Sequence, residues 1–150
     1  MHIQPDFEEL LRLLEDSKAE YLIVGGYAVA FHGYPRLTKD IDIFYNCSLQ
    51  NANKVRNALV QFGFPPNDVG IELFTAKGNI LTFGVEPVRV DFINEIAGIE
   101  FANAWTNRIR GEYGDITVNF IGRRDLITNK LSTPRAKDKA DAEELSQLSP

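Results

Sequence analysis

A chain of 150 residues with 44% apolar, 11% aromatic and 25% charged residues has the make-up of one water-soluble domain, able to bury roughly 70% of its unfolded surface. Its single cysteine, Cys47, excludes an internal disulfide framework and a thiolate zinc site and suits a reducing cytoplasm. A net charge of −5 argues against a protein that coats nucleic acid non-specifically, although Arg123, Arg124, Lys130, Arg135, Lys137 and Lys139 form a local basic cluster.

No apolar run approaches the ~18 residues of a membrane span, and Met1 to Phe7 lacks the basic-then-apolar layout of a signal peptide. We therefore expect a cytoplasmic protein without membrane association.

Residues 6–18 read as an amphipathic helix, with Phe7, Leu10, Leu11 and Leu14 at i, i+3, i+4 and i+7 and Pro5 at its start. Tyr21-Leu22-Ile23-Val24, stopped by Gly25-Gly26, reads as a short buried strand. Residues 27–31 suit a short helix, which His32-Gly33-Tyr34-Pro35 breaks. Residues 40–45 alternate as a strand, Asp40 and Asp42 on one face and Ile41 and Ile43 on the other. A second amphipathic helix is predicted over 49–62, capped by Ser48. Residues 63–70 form a turn-rich connector.

Residues 80–85 and 88–93 read as strands joined through Glu86-Pro87 as a hairpin, and 116–121 as a further strand. From Asp125 the chain looks helical, with a fresh helix start at Pro134. No repeat or linker interrupts it. One domain is expected over 1–150, with a core of about 5–122 and a helical tail of about 123–148. The fold class is α/β (α+β), a mixed, mostly antiparallel sheet of four or five strands flanked by helices.

The chemistry concentrates in Val24-Gly25-Gly26, thirteen residues, then Asp40-Ile41-Asp42-Ile43. Two glycines between a strand and a helix let backbone N–H groups approach an anion, which suits a triphosphate. Two carboxylates at i and i+2 on a strand project the same way, so either one pKa rises or a cation binds between them. Oxygen donors without cysteine or histidine favour Mg²⁺ over zinc. Asp91, in Val90-Asp91-Phe92-Ile93, is the best candidate for a third acid on an adjacent strand, completing a site for two ions; the alternative is a structural acid paired with Arg89. Arg36 and Thr38 lie just ahead of the acids, placed to touch substrate or to orient Asp40.

This pattern resembles the DNA polymerase beta-like nucleotidyltransferase superfamily. Gly25-Gly26-Tyr27-Ala28-Val29-Ala30-Phe31-His32-Gly33, Arg36, Thr38 and Asp40-Ile41-Asp42, with a tail carrying Lys130, Arg135, Lys137-Asp138 and Asp141, resemble its small bacterial branch, which includes the AbiEii-type toxins. The resemblance implies transfer of a nucleoside monophosphate from a nucleoside triphosphate to a hydroxyl acceptor, with release of pyrophosphate. Asp40, Asp42 and Asp91 would hold two Mg²⁺ ions, with Gly25 and Gly26 at the phosphates, Lys130 at the phosphate tail and Asp138 near the nucleotide. The acceptor stays open among RNA, such as a tRNA, a small hydroxylated molecule and a protein. The alternative is a non-catalytic protein of the same fold acting with a partner, as in a toxin–antitoxin pair. The short chain also leaves room for a cognate partner or a second copy to complete the acceptor site.

Overall fold

The computed structural model describes residues 1–148. The helix predicted over 6–18 forms as α1 (Pro5–Asp16) and buries Phe7, Leu10, Leu11 and Leu14 as its spacing requires. Each such side chain contributes about 1.5–3 kcal/mol on leaving water. Strand β1 (Tyr21–Val24) is buried throughout and runs straight into α2 (Gly25–Phe31). Strand β2 (Asp40–Tyr45) and helix α3 (Leu49–Phe62) follow. The Ser48 side chain caps α3 by accepting from Asn51 N at 3.3 Å.

A 3₁₀ turn (Pro66–Asp68) and the short α4 (Ile71–Thr75) lead to β3 (Ile80–Phe83) and β4 (Arg89–Ile93). These two strands pair antiparallel as the expected hairpin. Helix α5 (Phe101–Thr106), β5 (Ile109–Tyr113) and β6 (Ile116–Phe120) precede the tail, which splits at Pro134 into α6 (Arg123–Leu131) and α7 (Ala136–Ser146). Among the described residues no helix is long and apolar enough to cross a membrane.

Six strands, rather than four or five, form one sheet in the order β3-β4-β2-β1-β6-β5. The pairs β1·β2, β3·β4 and β5·β6 are antiparallel, while β2·β4 and β1·β6 are parallel. The unforeseen strand is β5. It lies at an edge, exposes most of its side chains and is interrupted by Gly111, so it carries little apolar alternation. Helices α4 and α5, of five and six residues, are too short for a 3.6-residue period to declare itself.

The sheet separates two cores. On one face Ile41, Ile43 and Phe92 pack with α1 and α3 through Leu10, Leu14, Val55 and Leu59. On the other, Leu22, Val24 and Phe44 pack with Ala28, Val29, Ala104, Leu126 and Leu145 from α2, α5, α6 and α7. Because side chains alternate along β2, Asp40 and Asp42 share this second face with Phe44. The tail helices are thereby brought beside the acids.

Candidate active site

The two parallel and antiparallel ladders around β2 set the centre of the site. Asp42 is paired in register with Asp91 of β4 on one side and Val24 of β1 on the other, and Thr82 of β3 stands opposite Asp91. One row, Thr82–Asp91–Asp42–Val24, thus crosses four strands. Gly25 follows Val24 directly, which places the glycine turn against Asp42.

Gly25 adopts φ +68°, and a Cβ there would collide with Asp42 Oδ2. A Cβ on Gly26 would stand 2.9 Å from Thr38 Oγ1. The glycine pair is therefore required by the close approach of two side chains from the neighbouring strand and its leading loop. Thr38 donates to the Asp40 backbone carbonyl at 3.2 Å.

The three carboxylates differ in surroundings. Burial, then Asp91 and Asp40, push Asp42 up to about 6, only partly opposed by Lys130 and Arg89. Burial also raises Asp40, against the pull of Arg89. Asp40 Oδ1 is buried and has no hydrogen-bond partner. Asp91 is fixed by Thr82 Oγ1, which donates to Oδ1 at 2.7 Å, and meets Arg89 Nε at 3.4 Å. The same Arg89 Nε stands 3.8 Å from Asp40 Oδ2. The pairing of Asp91 with Arg89 and its alignment with Asp42 thus hold together. Among the described residues no three His, Cys, Asp or Glu side chains are already gathered as a metal cage; a guanidinium contacts two of the acids instead.

The tail supplies the facing wall. Lys130, only 8% exposed, places Nζ 3.1 Å from Asp138 Oδ1 and 3.3 Å from Asp141 Oδ2. Asp138 also accepts from Thr133 Oγ1 at 2.7 Å and Arg135 Nε at 3.0 Å. Burial alone would raise Asp138, but the hydrogen bonds from Thr133, Lys130 and Arg135 prevail and hold it at about 2. Arg36 Nη1 reaches both oxygens of Asp141 at 2.6 Å, tying α7 to the loop between α2 and β2. Asp138 and Asp141 are therefore not ordinary surface partners along one helix.

All nine predicted residues line one cleft of about 900 Å³: Gly25, Gly26, Arg36, Thr38, Asp40, Asp42, Asp91, Lys130 and Asp138. Thr82 and the Arg36–Asp141 contact escaped sequence reasoning. Alternation along β3 carries the signal for Thr82, once Ile80 and Thr82 are set opposite Ile93 and Asp91. His32 is not among the residues lining this cleft and bonds Ile121 O through Nε2 at 2.7 Å.

The fold is similar to two solved structures. One is TM1012 from Thermotoga maritima, inferred to be a nucleotidyltransferase: 14% identity, 95% of this chain and 94% of that one covered, TM-score 0.60. The other is the lincosamide antibiotic adenylyltransferase LnuA with lincomycin bound: 18% identity, 97% and 98% covered, TM-score 0.57. None of the curated proteins matches the chain in sequence. Residues 2–148, nearly the whole chain, match the family described as nucleotidyltransferase of unknown function (DUF6036). The chain belongs to that nucleotidyltransferase family.

Proposed function

We propose that this cleft moves a nucleoside monophosphate from a nucleoside triphosphate to a hydroxyl acceptor, releasing pyrophosphate. One observation carries the reading: Asp42 and Asp91 stand side by side in register, open to a cleft that Arg36, Lys39 and Lys130 also line. Carboxylates and cations lining one cleft match a polyanion whose charge is bridged by metal.

Asp40, Asp42 and Asp91 would hold Mg²⁺, two ions in this reading. Their fit rests on the all-oxygen donor set and on the unpartnered buried Oδ1 of Asp40. When bound, the ions supply electrophilic stabilisation of charge developing on the α-phosphate and on departing pyrophosphate.

The chain's own groups do the rest. Gly25 and Gly26 bring backbone close to the phosphates, and Arg36 and Lys130 supply positive charge along the wall. Asp138 holds the Lys130 ammonium at a fixed place. Thr38 steadies Asp40 through its carbonyl. Thr82 donates to Oδ1 of Asp91 at 2.7 Å and Arg89 Nη2 to Oδ2 at 3.5 Å, and the carboxylate so oriented takes the acceptor's proton at Oδ2 as that longer contact gives way.

The direct test incubates the protein with each α-labelled triphosphate, Mg²⁺ and whole-cell extract. Label should enter an acceptor fraction with wild type and not with Asp42→Asn. Absence of Mg²⁺-dependent triphosphate binding would sink the reading and favour a non-catalytic protein acting with a partner.

A further inference from the structure

The cleft is asymmetric in a way that bears on the acceptor. Every cation lining it comes from the loop between α2 and β2 or from the tail: Arg36, Lys39, Lys130, Arg135 and Lys137. The lining residues from β3, β4 and the segments flanking β4 are of another kind. Beside Asp91 they are apolar Ile80, Ile93, Ile96 and Ala97 with acidic Glu86 and Glu95.

The register explains this floor. The row adjoining Thr82–Asp91–Asp42–Val24 on the same face is Ile80–Ile93–Phe44–Leu22. Leu22 and Phe44 are sealed in the core, whereas Ile80 at the sheet edge is 67% exposed. An isoleucine left open on the floor of a charged cleft gains by meeting apolar ligand surface. The cations bordering this floor are already matched: Lys77 lies 4.0 Å from Glu95, Lys39 lies 3.8 Å from Glu86 and Arg89 lies 3.4 Å from Asp91.

In-line displacement fixes which wall the acceptor uses. The attacking oxygen enters opposite the departing pyrophosphate. With the triphosphate against the glycines and the basic wall, that entry lies past Asp91, over β4 and β3. A nucleic acid there would lay phosphates along Glu86 and Glu95, whose partners Lys39 and Lys77 are already matched at 3.8 and 4.0 Å, against the unopposed positive charge such binding needs.

Resting on the reading of the cleft given above, we propose that the acceptor is a small, uncharged or cationic molecule bearing a hydroxyl on an apolar or ring framework, seated on Ile80, Ile93 and Ile96. Its oxygen forms a bond to the α-phosphorus as the bond from that phosphorus to the bridging α–β oxygen breaks. The hydroxyl proton passes to Asp91 and on to water, and pyrophosphate carries away the bond's electron pair.

The experiment uses the full chain with Mg²⁺ and α-labelled triphosphate, offered a panel of aryl-alkyl alcohols and amino alcohols beside total tRNA. Triphosphate binding is measured separately, by titration without acceptor. We expect label on a member of the alcohol panel and none on tRNA. Ile80→Asp should raise that acceptor's KM about tenfold or more, leave the KM for triphosphate unchanged, and be rescued by Ile80→Val. Label on tRNA overturns the proposal, as does an alcohol KM indifferent to Ile80→Asp. Triphosphate bound with no alcohol labelled overturns it too, while leaving nucleotidyl transfer standing. Loss of Mg²⁺-dependent triphosphate binding instead removes the parent reading, so the two failures are told apart.

Discussion

Asp42 and Asp91 are direct partners in the parallel pairing of β2 with β4, their carboxylates on the same face of the sheet. Strands pair through backbone N–H and C=O groups whatever their side chains; aligning two acids across them is a specific cost. Like charges so placed are unfavourable until a proton or a cation intervenes.

The first consequence is a pH response. Asp42 is raised from 3.8 to about 6, so between about pH 4 and 6 the folded protein binds this proton more tightly than the unfolded chain. Its contribution is complete below the unfolded value and is lost as pH rises through the folded one. Metal-free protein should therefore gain on the order of 2–3 kcal/mol from this group between pH 7 and pH 4. Asp138, held at about 2, acts oppositely, and its stabilisation disappears only as pH falls below about 4. Calorimetry in chelator should show Tm rising from pH 7 to 5 and falling below 4. A Tm that declines steadily from pH 7 contradicts the placement of Asp42.

Asp42→Asn removes the repulsion with Asp40 and Asp91 while removing a donor. Its metal-free Tm should exceed that of wild type at pH 7.5, and transfer should fall by about a hundredfold or more. In wild type, Mg²⁺ at 100 times its Kd should add about 2.7 kcal/mol. The variant should show little of that gain. Equal Tm shifts with Mg²⁺ in both proteins would make these acids structural.

Arg89 stands 3.4 Å from Asp91 and 3.8 Å from Asp40 through one nitrogen. It balances two acids and would compete with a cation bound there. Arg89→Gln should lower the metal-free Tm yet enlarge the rise in Tm on adding Mg²⁺. Isothermal titration with Mn²⁺ supplies the independent check: affinity should increase, and a decrease would show that the guanidinium assists the metal.

Gly25→Ala meets two obstacles, a left-handed backbone and the Asp42 carboxylate. Stability should drop by about 1–2 kcal/mol, with a larger loss of activity because Asp42 is displaced. Comparing Tm with turnover at a temperature well below melting separates the two effects.

Lys130→Met leaves Asp138 and Asp141, 2% and 3% exposed, short of a cation. The expected loss is about 3–5 kcal/mol, read by denaturant unfolding. Converting Asp138 to Asn in the same chain should recover part of it.

Much of this was legible beforehand. The acids stand out because alternation along residues 40–45 sets two carboxylates among core side chains, and the apolar stripe of α1 follows from four spaced residues. Thr82 and Arg89 gain meaning only from cross-strand register, which one strand does not encode. Lys130 shows the same limit. Its charge suggests a solvated helix face, and only the packing of α6 on α7 reveals that it is buried between two aspartates.

Arg36 and Asp141 are 105 positions apart, and this spacing has a consequence for how the protein comes into being. Acids, glycines and the Arg36 loop all emerge from the ribosome long before their counterpart on α7. Until that helix docks, Arg36 and Lys130 lack their carboxylate partners and the cleft lacks its far side. The cleft is therefore completed only once residues 136–146 have been made and have docked, well after its acids.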